Sequence, residues 1–237
     1  VAMLSMSTGL NKTLTATGDP NRAIILRGGS NGELASFLDR SSSTLIKQDP
    51  SIARHPDGLP FASGELIVIT EVPRKGQSSG ANVSLRGVEP KGFDIRPELK
   101  ILEGRRFKPG LRELMVGNGA YTQFDGLGVG SKLKVRGSYW DVVGVFETKD
   151  AHDSELWADL DTVQSAFGRS GMSSVVVRLN YSKAFDDLKR RLSADPQLTV
   201  DVETEQDYFA SQSAGLTSQI GFLTNIVAYI RAFGALF

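Results

Sequence analysis

The chain has no cysteine in its 237 residues. Disulfides, thiolate nucleophiles and cysteine metal sites are thereby excluded. Histidine is almost as scarce: His55 and His152 are the only two. They are too few for a multi-histidine metal site, and no G-x-S-x-G elbow surrounds Ser30 or Ser41 to Ser43 to make one of those serines a nucleophile. An excess of one charge is also missing. Lysine plus arginine and aspartate plus glutamate both number 27, so the net charge is zero. A neutral chain without polybasic blocks has no electrostatic pull toward nucleic acid or an anionic membrane surface.

Phosphate-binding loops are absent as well. GLGVGSK, Gly126 to Lys132, lacks the G-x-x-x-x-G-K-[ST] spacing, and its lysine leads into a strand rather than a helix. GGSNG, Gly28 to Gly32, follows a strand but lacks G-x-G-x-x-G. Both read as turns. The loop KDAHDSE, with Asp150, His152, Asp153 and Glu155, reads as a solvated polar loop, and no carboxylate pair stands out for glycoside chemistry. The sequence therefore nominates no catalytic residue, no cofactor-binding residue, no metal ligand and no cofactor.

What is present is a folded domain between apolar ends. Ile220 to Phe237 is apolar or glycine except at Thr224, Asn225 and Arg231. As a helix it spans roughly 27 Å, close to the ~30 Å hydrocarbon core. Leu4, Leu10 and Leu14, with Met6 between, place Val1 to Ala16 on one helical stripe that reads as the exit of another membrane helix. Arg231 is expected to face a polar interior, a partner or the lipid interface. The polar stretch Glu205 to Ser218 reads as a stalk helix running into the tail.

Between these ends, apolar runs predict strands at Ala23 to Arg27, Glu65 to Val72, Ala81 to Val88, Glu113 to Val116, Lys132 to Arg136, Trp140 to Phe146, Ser174 to Leu179 and Leu198 to Val202. The run Leu66 to Ile69 is expected to be buried throughout. Helices are predicted at Gly32 to Arg40, with Leu34, Phe37 and Leu38 inward, and after caps at Ser41 to Ser43, through Gln48. Further helices are predicted at Gly119 to Phe124, Leu160 to Phe167 and Tyr181 to Ala194, the last with Phe185, Leu188 and Leu192 on one face. Glu103 to Arg105 reads as a turn. Strand–helix–strand texture at both ends with a glycine-rich β middle predicts an α+β fold: a discontinuous α/β subdomain, 19–90 and 172–203, carrying an inserted β-rich subdomain, 91–171. Residues 1–18 and 204–237 complete it as two membrane-proximal stalk helices. Phe107, Phe124, Trp140, Phe146, Trp157 and Phe167 are assigned to the core of the insertion.

The ordered strings TGDPNRAIILRGGS, ANVSLRGVEP, EGRRFKPGLRELMVGNGA, WDVVGVFE, SELWADLDTVQSAFGR, SSVVVRLN and ETEQDYFASQS cover nearly the whole chain. Together they resemble the extracytoplasmic domain of ABC transporter permeases of the MacB/FtsX-like class. Glu103 to Gly117 carries the most specific part of the resemblance, as a turn, an aromatic and an exposed strand. The resemblance implies a porter-like α/β half between the first and second membrane helices of a bacterial inner-membrane permease. It also implies pairing with a second permease subunit, an ABC ATPase in a separate subunit or domain, and a periplasmic adaptor or cargo. The implied work is mechanotransmission for export, lipid or lipoprotein handling, or envelope maintenance, and the domain itself is no enzyme. A membrane-anchored periplasmic module binding a lipid or protein without ATP coupling is the alternative. No adaptor-docking motif and no lipoprotein-capturing hook is recognisable, which leaves the cargo open.

Overall fold

The structure is a computed structural model and describes residues 18–76, 80–181 and 183–212. Both expected membrane segments, the outer part of the stalk and Arg231 lie outside the described residues. No helix among the described residues is long and apolar enough to cross a membrane.

Among the described residues ten strands form one sheet: β1 (Arg22–Arg27), β2 (Ala62–Pro73), β3 (Gly80–Val88), β4 (Lys100–Gly104), β5 (Glu113–Gly117), β6 (Lys132–Val135), β7 (Ser138–Glu147), β8 (Leu156–Asp159), β9 (Ser174–Arg178) and β10 (Val200–Thr204). Their order is β10-β1-β9-β2-β3-β8-β5-β7-β4, with β6 also paired to β7. Helices are α1 (Arg40–Lys47), α2 (Gly92–Ile95), α3 (Asn118–Gln123), α4 (Leu160–Phe167) and α5 (Ala184–Ala194), and the chain is again helical over 205–212. The fold is mixed α+β.

The strand order sorts by sequence. Strands from the outer parts of the chain (β1, β2, β3, β9, β10) lie on one side, and β4 to β8 lie on the other. The seam is the parallel pair β3–β8, with Leu85 opposite Leu156 and Arg86 opposite Trp157. The sheet is continuous across this seam, and so is the packing there: one cluster takes Leu66 and Leu85 from one side and Leu114 and Leu156 from the other, while a second cluster lies apart under β1 and β9. Leu188 and Leu192 of α5 pack with Ala23, Ile25, Val175 and Val177. Trp140 packs in a different cluster, with Leu66, Leu85, Leu114, Leu156 and Val163.

Strand alternation decides which side chains meet. Ala23 and Ile25 of β1 face α5, whereas Ile24 and Leu26 face Tyr208 and Phe209 of the 205–212 helix. The run AIIL is apolar without alternation because both faces of β1 are covered. On β3, Gly87 faces α4; an added Cβ would stand 3.1 Å from Leu160 Cα and Val163 Cβ, so glycine sets the spacing of helix and sheet. The β6–β7 turn places Arg136 and Gly137 at positive φ, the geometry of a two-residue hairpin loop.

Several sequence expectations need correction. The predicted helix over Gly32 to Arg40 is only a 3-10 turn, Glu33–Ala35; Leu34 and Phe37 are exposed and Leu38 alone is buried. The turn ends because Ser36 is extended and the Leu38 backbone bridges to Met172 instead, through two hydrogen bonds of 2.8 Å. The cap of α1 is Asp39, whose carboxylate accepts from Ser42 N–H, not one of the three serines. Ile69 is exposed because one face of β2 is open from there on: Ile69, Glu71 and Pro73 are exposed, and Val68, Thr70 and Val72 are buried. Glu103 and Gly104 close β4, a fully exposed edge strand that the sequence pattern reads as a turn. The strand after it, β5, is buried at every residue rather than exposed, because β7 and β8 flank it. Of the six aromatics assigned to the core, Phe107, Phe124, Trp140, Phe146 and Trp157 are buried, and Phe167 is partly buried against the cluster around Trp140.

Candidate functional site

Charge is gathered where the sheet meets the 205–212 helix. Arg22 opens β1, Glu65 lies in β2 and Arg86 in β3. Arg86 pairs directly with Ile67, so Glu65 is its diagonal neighbour on the same face. Arg96 follows α2, Glu33 sits in the 3-10 turn after β1, and Glu155 follows a second 3-10 turn, Ala151–Ser154. Glu205 begins the 205–212 helix. Seven segments of the chain thus place charged groups on one buried face.

The pairing is dense. The Arg86 Nε and Nη2 groups donate to the two oxygens of Glu155, at 2.7 and 2.9 Å. Its Nη1 and Nη2 also reach Glu33 at 2.8 and 3.0 Å, and Nη1 reaches Glu65 at 2.8 Å. Arg96 donates to Glu65 at 2.6 and 3.2 Å and lies 3.5 Å from Glu205. Arg22 donates to Glu205 at 2.5 Å and pairs with Glu98 at 2.8 Å. Glu33 accepts from Ser174 Oγ at 2.7 Å, and Glu155 accepts from the Trp157 indole at 2.8 Å.

These partners fix the ionisation states. Burial works to raise the Glu65 pKa, but Arg96 and Arg86 outweigh it and hold the carboxyl at about 2. Burial likewise opposes charge on Glu155, yet Arg86 lowers its pKa. Burial works to lower the Arg86 pKa, and Glu155 and Glu33 raise it well above the ordinary value. Around neutral pH Glu65, Glu155 and Arg86 are therefore all ionised.

The network holds the 205–212 helix along the sheet. At the start of that helix, Glu205 accepts from Arg22 and from the backbone N–H of Asp19, at 3.2 Å. One turn on, the Tyr208 hydroxyl accepts the Glu33 backbone N–H at 3.0 Å. At Gln212 the side-chain amide donates to the Asn31 carbonyl at 3.3 Å. The other end of the described chain meets the same place: a Cβ on Gly18 would lie 2.7 Å from the Gln206 backbone nitrogen. Where the chain enters and where this helix starts are therefore side by side. A cleft of about 310 Å³ opens beside the helix, lined by Leu34, Ile67, Ser84, Arg86, Glu155 and Phe209 among others.

The KDAHDSE loop is not solvated as the sequence suggests. His152 is 1% exposed, with Nδ1 2.9 Å from Asp150 Oδ1, and Glu155 points to Arg86. The loop turns inward where Arg86 of β3 supplies a positive charge to Glu155. His55 instead stacks on Phe61 at 3.4 Å between ring centroids, with Asp94 3.9 Å away. Gly28 to Gly32 forms the turn leading to Glu33, and Gly126 to Lys132 leads into β6. Ser41 Oγ and Ser42 N–H both donate to Asp39, and Ser43 is buried in α1. No group of three histidine, aspartate or glutamate side chains suited to a metal ion occurs among the described residues.

Sequence reading passed over Arg22, Glu33, Glu65, Arg86, Arg96 and Glu205. A signal was present in part. Glu65 and Arg86 sit in strands whose flanking residues are apolar, and a charge in such a strand is either at a solvated face or paired inside. Only the pairing of β2 with β3 shows which.

This architecture has known counterparts. The periplasmic region of MacB from Actinobacillus actinomycetemcomitans superposes with a TM-score of 0.58 at 17% identity, over 84% of this chain and 92% of that one. The extracellular domain of the noncanonical ABC-type transporter YknZ from Gram-positive bacteria gives 0.56 at 14% identity, over 78% of this chain and all of that one. No curated protein sequence matches. The model of the MacB-like periplasmic core domain matches residues 1–195, and with that span the chain belongs to the family of MacB-like periplasmic core domains.

Proposed function

We propose that this chain is the periplasmic domain of a bacterial inner-membrane ABC transporter permease and that it relays motion rather than performing chemistry. Its membrane helices, a second permease subunit and an ABC ATPase in another subunit or domain complete the machine. ATP-driven movement in the membrane reaches the domain through the 205–212 helix. The domain divides into an α/β part, 19–90 and 172–203, and an inserted β-rich part, 91–171; the sorted strand order supports this division, and the cluster around Trp140, which takes Leu66, Leu85 and Met172 from the first part, is where the two parts pack together.

One observation carries the mechanical reading. The 205–212 helix is held at Glu205, Tyr208 and Gln212, and at its first residue by buried guanidinium groups from β1 and the turn after α2. Losing one partner of a buried ion pair costs roughly 3–5 kcal/mol, so such a joint passes displacement to the sheet instead of slipping.

The test is Ala210→Pro in the full transporter. Proline removes a backbone donor from the helix and clashes with the preceding turn, at about 3 kcal/mol or more. Most of the packing lies elsewhere, so the domain should fold. Transport should be lost while basal ATPase activity is largely retained. Full transport with the kink confirmed structurally would remove the mechanical role. A binding module without ATP coupling would keep its activity when the partner ATPase is made hydrolysis-deficient; the permease would lose it.

A further inference from the structure

The buried cluster is short of positive charge. Arg22, Arg86 and Arg96 face Glu33, Glu65, Asp150 and Glu205, all buried, together with Glu155, whose side chain is 13% exposed. Two negative charges are in excess, and Glu98 adds another from the rim, at 36% exposure. An uncompensated buried carboxylate is costly, so the surroundings favour any group that can take up a proton. Among the buried residues, one imidazole can supply a positive charge near neutral pH.

That group is His152. Its own turn presents Asp150, at 2.9 Å from Nδ1, and Glu155 follows directly. From β2 comes Glu65, whose carboxylate is lowered in part by this histidine. From the turn after α2 comes Arg96, which opposes a charge on the imidazole. The 205–212 helix presents the Phe209 ring, at 5.4 Å and 76°, and β8 presents the Trp157 ring, at 5.7 Å and 89°. Both contacts are edge to face, a favoured aromatic arrangement that ties the ring to the helix and to β8. Nε2 is buried between these elements without a hydrogen-bond partner among the described residues.

We propose that His152 is a proton-operated latch: its imidazolium compensates Asp150, Glu155 and Glu65 and seats the 205–212 helix through Phe209, and loss of the proton to the extracytoplasmic medium loosens that seat. The joint between helix and sheet then depends on external pH, whatever drives the helix. The balance of neighbours agrees in sign. Burial disfavours the charged imidazole, but Asp150 and then Glu155 raise its pKa above the ordinary value. A raised value in the closed state means that protonation stabilises closure. The stabilisation is complete below the ordinary histidine pKa of ~6.5 and is gone above the closed-state midpoint.

The experiment uses the full 237-residue chain in detergent. NMR titration of the histidine ring resonances, assigned with His55→Gln, gives the His152 midpoint. Hydrogen exchange in the same sample, corrected for the intrinsic rate, follows the amides of residues 205–212 with β9 as reference. Opening of the helix should rise about tenfold per pH unit from ~6.5 up to the His152 midpoint and level off above it. His152→Gln should open more at pH 6 and lose the slope. A midpoint at or below ~6.5, or protection of 205–212 that is flat through the midpoint, overturns the latch, and so does a His152→Gln variant that keeps the slope. Should that variant fail to fold, the two wild-type readouts decide alone.

Discussion

Arg86→Met is the sharpest probe of the buried network. Arg86 is 2% exposed and pairs with Glu33, Glu65 and Glu155 from one guanidinium. Methionine keeps much of the side-chain length and none of the charge. Glu65 retains Arg96, but Glu33 and Glu155 lose their principal cation. Breaking a buried pair on one side costs roughly 3–5 kcal/mol, a large share of the ~5–15 kcal/mol that holds a domain together. For a domain near 200 residues this lowers Tm by about 6–20 °C. Thermal and urea unfolding, followed by circular dichroism and the fluorescence of Trp140 and Trp157, would measure it. The pH dependence sharpens the test. In the wild type, Glu65 is held at about 2 and Glu155 is lowered. Their stabilisation is present above the ordinary carboxylate range and is lost as pH falls through the depressed values. In Arg86→Met the abandoned carboxylates favour protonation, so acid relieves them. The gap between variant and wild type should narrow from pH 7 to pH 5, and adding Glu155→Gln to Arg86→Met should recover part of the loss. A variant within about 1 kcal/mol of the wild type at pH 7 would refute the view that Arg86 compensates these carboxylates.

Gly117→Ala should disturb the His152 turn from outside the network, since its Cβ would fall 2.3 Å from the Asp153 carbonyl oxygen. The expected loss is about 1–3 kcal/mol, with the His152 ring resonances shifted; an unchanged urea midpoint would contradict it. Leu188→Ala removes a fully buried side chain from the cluster under α5 and should cost about 2–5 kcal/mol. If the core is divided as the clusters suggest, hydrogen-exchange protection should fall more in β1, β9 and β10 than in β5 to β7; an equal fall throughout would speak for one undivided unit.

The sequence by itself settled the local elements and the exclusions. Apolar runs such as SVVVR and ELIVITEV become strands because their β-branched residues suit a pleated, covered surface, and α4 follows its LDTVQSAF pattern because Val163 recurs one turn from Leu160 on the sheet face. Absent cysteines exclude disulfides and thiolate nucleophiles without reference to any fold. Burial of charge was different. Glu65 could have faced solvent or Arg86, and the choice rests on the register that sets Ile67 opposite Arg86. His152 reads as solvated beside Asp150, Asp153 and Glu155, and is buried where the Phe209 ring of the distant 205–212 helix and the nearby Trp157 ring of β8 close over it. A segment can state its period and its turns. It cannot state which distant charge will repay its desolvation, because that interaction exists only once strands and helices far apart in the chain share one face.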